Sequence, residues 1–115
     1  MSFERACLLD DIPDDEAVGV NIGAYGVAVA RDGDDVYAVQ DLCSHQAVAL
    51  SEGEVDGCTI ECWLHGSRFD LASGKPTGPP ATDPVSTFPV EVRTEPEGRV
   101  VYVDTTTTLN GVNPT

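Results

Sequence analysis

The sequence predicts an all-β fold of antiparallel strands, and three observations support that prediction. Runs of β-branched and apolar residues are short and recur between turn signals, whereas helical periodicity is scarce. The 115-residue chain carries 11 glycines and 8 prolines, many of them where the apolar runs stop. Residues 32–34, 72–74 and 95–98 have the Gly, Asp, Ser and Pro composition of tight turns. Such a pattern is typical of an all-β domain.

Nine segments between these breaks are predicted to be strands. They are Phe3–Leu8, Ala17–Ile22, Gly26–Ala30, Val36–Gln40, Cys58–Glu61, Ser67–Asp70, Val85–Phe88, Val90–Arg93 and Val100–Asp104. Neither a repeat nor an interdomain linker separates them, so residues 1–104 are expected to form one domain. Residues 105–115 are threonine-rich and have no apolar period, which predicts a frayed tail.

The composition narrows the class of partner. A net charge of −14 disfavours nucleic acid and anionic membranes as partners. The acidic residues either steer the protein towards a basic patch on a partner or form a solvated surface, and their spread along the chain favours neither. No apolar run approaches the roughly 18–20 residues that cross a bilayer. The N-terminus lacks the features of a signal peptide, so we expect a cytoplasmic protein. We also expect it to be a monomer.

Both histidines and two of the four cysteines fall in one pattern. It is Cys43-x-His45, then 16 residues, then Cys62-x-x-His65. We call these the first and second clips. Thiolate and neutral imidazole are ligands for iron and zinc, and the clips supply two of each. The set suits a [2Fe–2S] centre with cysteines on one iron and histidines on the other, or a tetrahedral zinc site.

The other two cysteines, Cys7 and Cys58, have a simpler interpretation. A reducing cytosol disfavours a disulfide between them, so both are expected to be small buried hydrophobic residues. Cys58 stands only four residues before Cys62, which leaves a reserve ligand as the alternative.

The sequence around the clips resembles the Rieske ferredoxin family over about residues 3–104. The resemblance is carried by residues 42–45 (LCSH), 50–55 (LSEGEV) and 60–70 (IECWLHGSRFD), and continues through 74–76 and 79–81. It implies a Rieske-type antiparallel β-sandwich with a cluster-binding subdomain of two hairpin loops. It also implies one [2Fe–2S] cluster per chain, held by the four clip residues, with a third loop containing Pro79 and Pro80 covering it.

The resemblance further implies an electron carrier rather than an enzyme. Ferredoxins of this kind take single electrons from a flavin reductase and pass them to a non-haem iron oxygenase, docking transiently on each. Three alternatives remain open at this point: an accessory electron donor or sensor in iron–sulfur assembly, a structural zinc domain, and a small subunit of nitrite reductase.

Residues beside the clips bear on the reduction potential. High-potential members of the family have a disulfide between the cluster loops, at positions filled here by Val48 and Leu64. In that group a serine and a tyrosine donate hydrogen bonds to the cluster; Ser67 fills the serine position, but Phe69 fills the tyrosine position. We therefore expect a potential in the lower part of the Rieske range, with Ser67 either a donor or a turn residue. Trp63 is expected to cap the cluster or to form a docking contact.

Overall fold

A computed structural model describes residues 3–42, 48–63, 66–79 and 81–114. Ten strands lie within them. They are β1 Glu4–Leu8, β2 Ala17–Ile22, β3 Tyr25–Asp32, β4 Asp35–Gln40, β5 Val55–Asp56, β6 Thr59–Glu61, β7 Arg68–Asp70, β8 Thr87–Phe88, β9 Val90–Glu95 and β10 Gly98–Val103. The helical elements of these residues are two 3₁₀ turns, Leu9–Asp11 and Leu50–Glu52. No helix in the described ranges has the length and apolar character needed to span a bilayer.

The strands form three antiparallel sheets. Sheet I has the order β1-β10-β9, sheet II the order β2-β3-β4-β8, and sheet III the order β5-β6-β7. One hydrophobic core joins sheet I to sheet II, and a second joins sheet II to sheet III. Sheet II is therefore the middle layer, which confirms the predicted all-β sandwich with an added hairpin subdomain.

Strand β3 shows how the sequence builds this middle layer. Its four central residues are all fully buried. Val27 and Val29 enter the core shared with sheet I, whereas Ala28 and Ala30 enter the core shared with sheet III. Because side chains alternate between the faces of a strand, one short run covers two cores. The larger residues face sheet I, and the alanines leave room for the subdomain that carries the second clip.

All nine predicted strands are present, and no end differs from the prediction by more than two residues. The turns predicted at 32–34 and 95–98 are confirmed as the links of the β3–β4 and β9–β10 hairpins. Strand β5 was not predicted. It contains only two residues, so it is too short to show the alternation of a strand, and it forms because Val55 and Asp56 pair with β6.

The tail differs from the frayed segment expected from its composition. The Asn110 side chain donates to the carbonyl oxygens of Ser73 at 2.9 Å and Val85 at 2.8 Å. It also accepts from the backbone N–H of Thr87 at 3.3 Å, and Leu109 N–H donates to the Thr87 carbonyl at 2.8 Å. The Asn110 side chain thus ties the tail to β8 and to the turn after β7, and the Ser86 hydroxyl adds a bond to the Val112 carbonyl at 2.8 Å. Polar contacts of this kind need no apolar period.

We expect Asn110→Ala to lower the free energy of unfolding by about 2 kcal/mol, because it leaves buried backbone groups without partners. Urea unfolding of the apoprotein measures this. Asn113→Ala is the matched control, because Asn113 is exposed in the same tail, and it should change stability by less than about 0.5 kcal/mol. Equal stabilities for the two variants would show that the Asn110 contacts contribute nothing.

Candidate functional site

Of the four predicted ligands, Cys62 lies in the described part of the chain. Cys43, His45 and His65 lie outside the described residues. Cys62 directly follows β6, and its side chain is 1% exposed. It is a thiol and not part of a disulfide. The second clip therefore begins where the strand predicted at Cys58–Glu61 ends, and its first predicted ligand is withdrawn from bulk water.

Backbone hydrogen bonds link Cys62, after β6, to the residues that precede β7. Cys62 N–H donates to the Ser67 carbonyl at 2.6 Å, and Gly66 N–H donates to the Cys62 carbonyl at 2.9 Å. Gly66 has φ +73°, a left-handed conformation that glycine adopts without the strain of a Cβ. These contacts fix both ends of the segment that contains the second clip. The Glu61–Arg68 ion pair, at 3.3 Å, spans the hairpin one step below.

Ser67 connects this segment to the predicted covering loop. Its side chain is 1% exposed, and Oγ accepts a hydrogen bond from Ala81 N–H at 3.2 Å. This bond uses an oxygen lone pair, and a hydroxyl also carries one proton that it can donate. Ser67 therefore has a structural role between two loops and retains the donor expected of a residue beside a metal cluster. Pro80 lies outside the described residues.

An apolar floor lies under Cys62. Cys62 belongs to the core between sheets II and III, and its apolar neighbours in that core form the floor. They include Leu50, Ile60, Phe69 and Leu71, all at most 1% exposed. Phe69 pairs with Ile60 across β6 and β7. Burial of such a ring contributes about 1.5–3 kcal/mol to stability. The floor excludes water from below the thiol and supports the hairpin that presents it.

Trp63 does not share that burial, because it is 50% exposed next to a fully buried cysteine. Of the two roles considered for it, the exposure favours a docking contact over a cap. An exposed aromatic side chain brings a large contact area with few rotatable bonds, which suits a protein–protein surface. Leu64, which follows Trp63, lies outside the described residues.

The segment that follows the first clip packs directly against the strand that leads to the second. Gly53 approaches β6 so closely that a Cβ there would lie 1.6 Å from the Glu61 carbonyl oxygen. Glu61 N–H donates to the Glu54 carbonyl at 2.8 Å. This contact was not predicted from the sequence. Its signal was the glycine within the 50–55 segment, since a glycine in such a run often marks a close backbone approach.

The non-clip cysteines pack as small apolar residues. Cys58 is half-buried against the core under Cys62, and Cys7 is half-buried against the core of sheets I and II. A hydrogen bond with Cys58, together with burial, raises the pKa of Tyr37 to about 12. Burial, with the charge of Asp11, raises the pKa of Cys7 to about 11, so its reactive thiolate is disfavoured. Both cysteines are less buried than expected.

An acidic surface lies beside sheet III. The charge of Asp14 raises the pKa of Asp15, with smaller contributions from desolvation, Asp32 and Asp56. Asp14 and Asp15 precede β2, whereas Asp32 ends β3 and Asp56 ends β5, so these carboxylates come from separate parts of the sequence. A shared groove is lined by the side chains of Asp15, Glu16, Glu52, Glu54 and Asp56. Part of the negative charge that is spread along the sequence is therefore gathered in this groove, next to the subdomain that carries the second clip.

Comparison with known proteins identifies the family. Residues 2–89 match the model of the Rieske [2Fe–2S] domain. The biphenyl dioxygenase ferredoxin subunit of Pseudomonas sp. strain KKS102 is 38% identical over 105 residues, covering 90% of this chain and 93% of the relative. The protein belongs to the Rieske [2Fe–2S] family and binds one such cluster. The clips supply two cysteines and two histidines, which suit a [2Fe–2S] cluster, and Cys62 is a buried thiol.

Two solved structures narrow the class. The Sphingomonas yanoikuyae B1 ferredoxin superposes with a TM-score of 0.79 at 31% identity, covering 90% of this chain and 99% of the other. A structure of reduced oxygenase with oxidised ferredoxin in carbazole 1,9a-dioxygenase gives 0.75 at 38% identity, covering 88% and 91%. Within the Rieske family, this protein is thus an electron carrier of the ferredoxin type rather than a catalytic subunit.

We expect Phe69→Tyr to raise the reduction potential. The resemblance to the high-potential members implies that a tyrosine hydroxyl at this position would donate to the cluster and stabilise its reduced, more negative form. A hydrogen bond stronger by about 1 kcal/mol in that form corresponds to roughly 40 mV for a one-electron couple. Redox titration followed by circular dichroism measures the shift. Phe88→Tyr, in the core of sheets I and II, is the control and should leave the potential unchanged. An unshifted potential in Phe69→Tyr would reject this account of tuning.

Proposed function

We propose that this protein carries single electrons from a flavin reductase to a non-haem iron oxygenase. The observation that carries the proposal is the complete set of four clip residues on the frame of ferredoxins that serve dioxygenases. Both histidines of the chain belong to that set, so neither is left over as a catalytic base or as a ligand of a mononuclear iron. A carrier of electrons fits these residues better than a catalyst.

The proposed ligands are Cys43, His45, Cys62 and His65. The cysteine thiolates would hold one iron and the neutral imidazoles the other. When bound, the cluster accepts and releases one electron at a time, and histidine ligation places its potential at about −150 to +300 mV. The burial of Cys62 and the two backbone bonds around it support the assignment, because they hold Cys62 in place before the metal arrives.

The chain's own side chains would then serve transfer in three ways. The apolar floor beneath Cys62 excludes water from that side. The exposed Trp63 gives the partner a contact one residue from a ligand, which favours a short path for the electron. The acidic groove beside β5 steers the protein towards a basic patch on the reductase or the oxygenase, which raises the rate of encounter at low ionic strength.

The proposal extends to the protein's setting. We place it in the cytoplasm as a monomer that docks transiently, without nucleic acid or membrane among its partners. The thiol state of Cys7 and Cys58 is consistent with a reducing compartment. The net charge of −14 opposes contact with phosphate-rich surfaces.

Reconstitution tests the proposal. The reduced holoprotein is mixed in a stopped-flow instrument with the oxidised oxygenase of a biphenyl or carbazole dioxygenase system, and cluster oxidation is followed by absorbance. We expect one electron to leave each chain, at a rate that falls as salt rises. Turnover with the flavin reductase should require the ferredoxin. A protein that takes up one electron but supports neither step would reject oxygenase service and favour a role in iron–sulfur assembly.

A further inference from the structure

Two hydrogen bonds between Asp41 and Ser51 join the ends of the segment that contains the first clip. Ser51 N–H donates to Asp41 Oδ1 at 2.7 Å, and Ser51 Oγ donates to Asp41 Oδ2 at 2.7 Å. In sequence, Asp41 stands two residues before Cys43 and Ser51 six residues after His45. Hydrogen bonds to a carboxylate are stronger than those between neutral groups. We call this contact the Asp41–Ser51 clamp.

Sheet II holds the clamp from one side. Asp41 N–H donates to the Gly26 carbonyl of β3 at 2.9 Å, and Leu50, beside Ser51, is fully buried. Strand β2 packs against the clamp at Gly19, where a Cβ would lie 2.7 Å from Asp41 Oδ2 and 2.8 Å from Ser51 Oγ. A side chain at Gly19 would therefore occupy the space of the clamp itself.

The segment that contains Ser51 also contacts the strand that leads to the second clip. Two residues after Ser51, Gly53 lies against the Glu61 carbonyl, and Glu61 directly precedes Cys62. A short, rigid path therefore leads from Asp41 through residues 51–53 to Cys62. The close approach at Gly53 leaves little room for this path to lengthen.

We propose that the Asp41–Ser51 clamp is a positioning pair that fixes the separation of the two clips and so determines how firmly the [2Fe–2S] cluster is held. The inference rests on the ligand set given under the proposed function. A four-ligand site binds well only when its ligands are held in place together, and groups that orient ligands affect retention strongly. Neither Asp41 nor Ser51 touches the metal in this account.

The clamp is tested by the rate of cluster loss to a chelator, followed by visible circular dichroism at a temperature where the apoprotein stays folded. Asp41→Ala removes both hydrogen bonds and should lose the cluster about tenfold faster or more. Asp41→Asn keeps both, because its Oδ1 accepts from Ser51 N–H and its Nδ2 donates to Ser51 Oγ, so it should retain the cluster as the parent does.

Substitutions at Ser51 and at Gly19 test the clamp from its other components. Ser51→Ala removes one of the two bonds and should accelerate cluster loss by less than Asp41→Ala. Ser51→Thr keeps the hydroxyl and should retain the cluster as the parent does. Gly19→Ala should accelerate loss although it alters neither partner. Gly26→Ala is its control, because a Cβ there would contact Asp41 Cβ at an ordinary 3.7 Å.

A purely structural role would lower the unfolding transition without changing the centre. We therefore also expect Asp41→Ala and Gly19→Ala to broaden or shift the electron paramagnetic resonance spectrum of the cluster that remains, with Asp41→Asn unchanged. Equally fast loss from Asp41→Asn and Asp41→Ala would mean that charge matters and geometry does not, and would overturn the proposal. Cluster loss at the parent rate in Asp41→Ala would overturn the proposal as well.

Cys43→Ser, measured alongside, separates this inference from the one on which it rests. Loss of the cluster in Cys43→Ser with parent-like retention in Asp41→Ala overturns the clamp alone. An unchanged cluster in Cys43→Ser overturns the ligand set, and with it the reason to attach the clamp to the first clip.

Discussion

Cys43→Ser is expected to abolish the Rieske centre, and His65→Ala is expected to do the same. A [2Fe–2S] cluster needs a ligand at each of four positions, and no spare histidine exists in the chain to replace the missing one. Loss of a thiolate also removes the negative charge that binds ferric iron most strongly. Iron analysis and electron paramagnetic resonance of the reduced variants measure the effect, which should be loss of the normal signal and of most of the iron.

The matched control for Cys43→Ser is Cys58→Ser. Cys58 lies only four residues before Cys62, yet it packs against the core and forms a hydrogen bond with Tyr37. We expect Cys58→Ser to keep two irons per chain and an unaltered spectrum. If Cys43→Ser kept its spectrum while Cys58→Ser lost it, Cys58 would be the ligand and the first clip would be misassigned.

Gly53→Ala is expected to lower the free energy of unfolding of the apoprotein by about 3 kcal/mol or more. The added Cβ would lie 1.6 Å from the Glu61 carbonyl oxygen, so the backbone of one segment must move. Backbone cannot change rotamer to escape, unlike the end of a flexible side chain. The shift would also separate the two clips, so cluster content after reconstitution should fall with stability.

The control for Gly53→Ala is Gly78→Ala, since no described atom lies within 4 Å of a Cβ at Gly78. Neither glycine has a left-handed backbone, so neither exchange strains φ. Chemical denaturation of both apoproteins compares them directly. A loss of less than about 1 kcal/mol in Gly53→Ala would show that the two segments separate easily, contrary to the packing described above.

Much of the fold could be predicted because its strands carry their own pattern. In β3, alternation of valine and alanine specifies which residues face which core, and Asp32-Gly33-Asp34 marks the turn that follows. These signals are local, so a single sequence displays them. The two clips are visible for a similar reason, since each packs two metal ligands into three or four residues.

What could not be predicted depends on contacts between distant residues. Asn110 is an ordinary polar residue in a threonine-rich tail until Ser73, Val85 and Thr87 present backbone groups to it. The contact of Asp41 with Ser51 likewise spans ten positions and has no periodicity. Side-chain bonds to backbone satisfy groups whose positions the tertiary fold decides, so composition alone does not reveal them.

Metal content and electron paramagnetic resonance of the dithionite-reduced protein, measured on one sample, test the central claim most directly. We predict about two irons per chain, no stoichiometric zinc, and a signal whose average g value is lower than that of four-cysteine clusters, because histidines ligate the reduced iron. A colourless protein without that signal, carrying one zinc per chain, would contradict the account and indicate a zinc-stabilised domain instead.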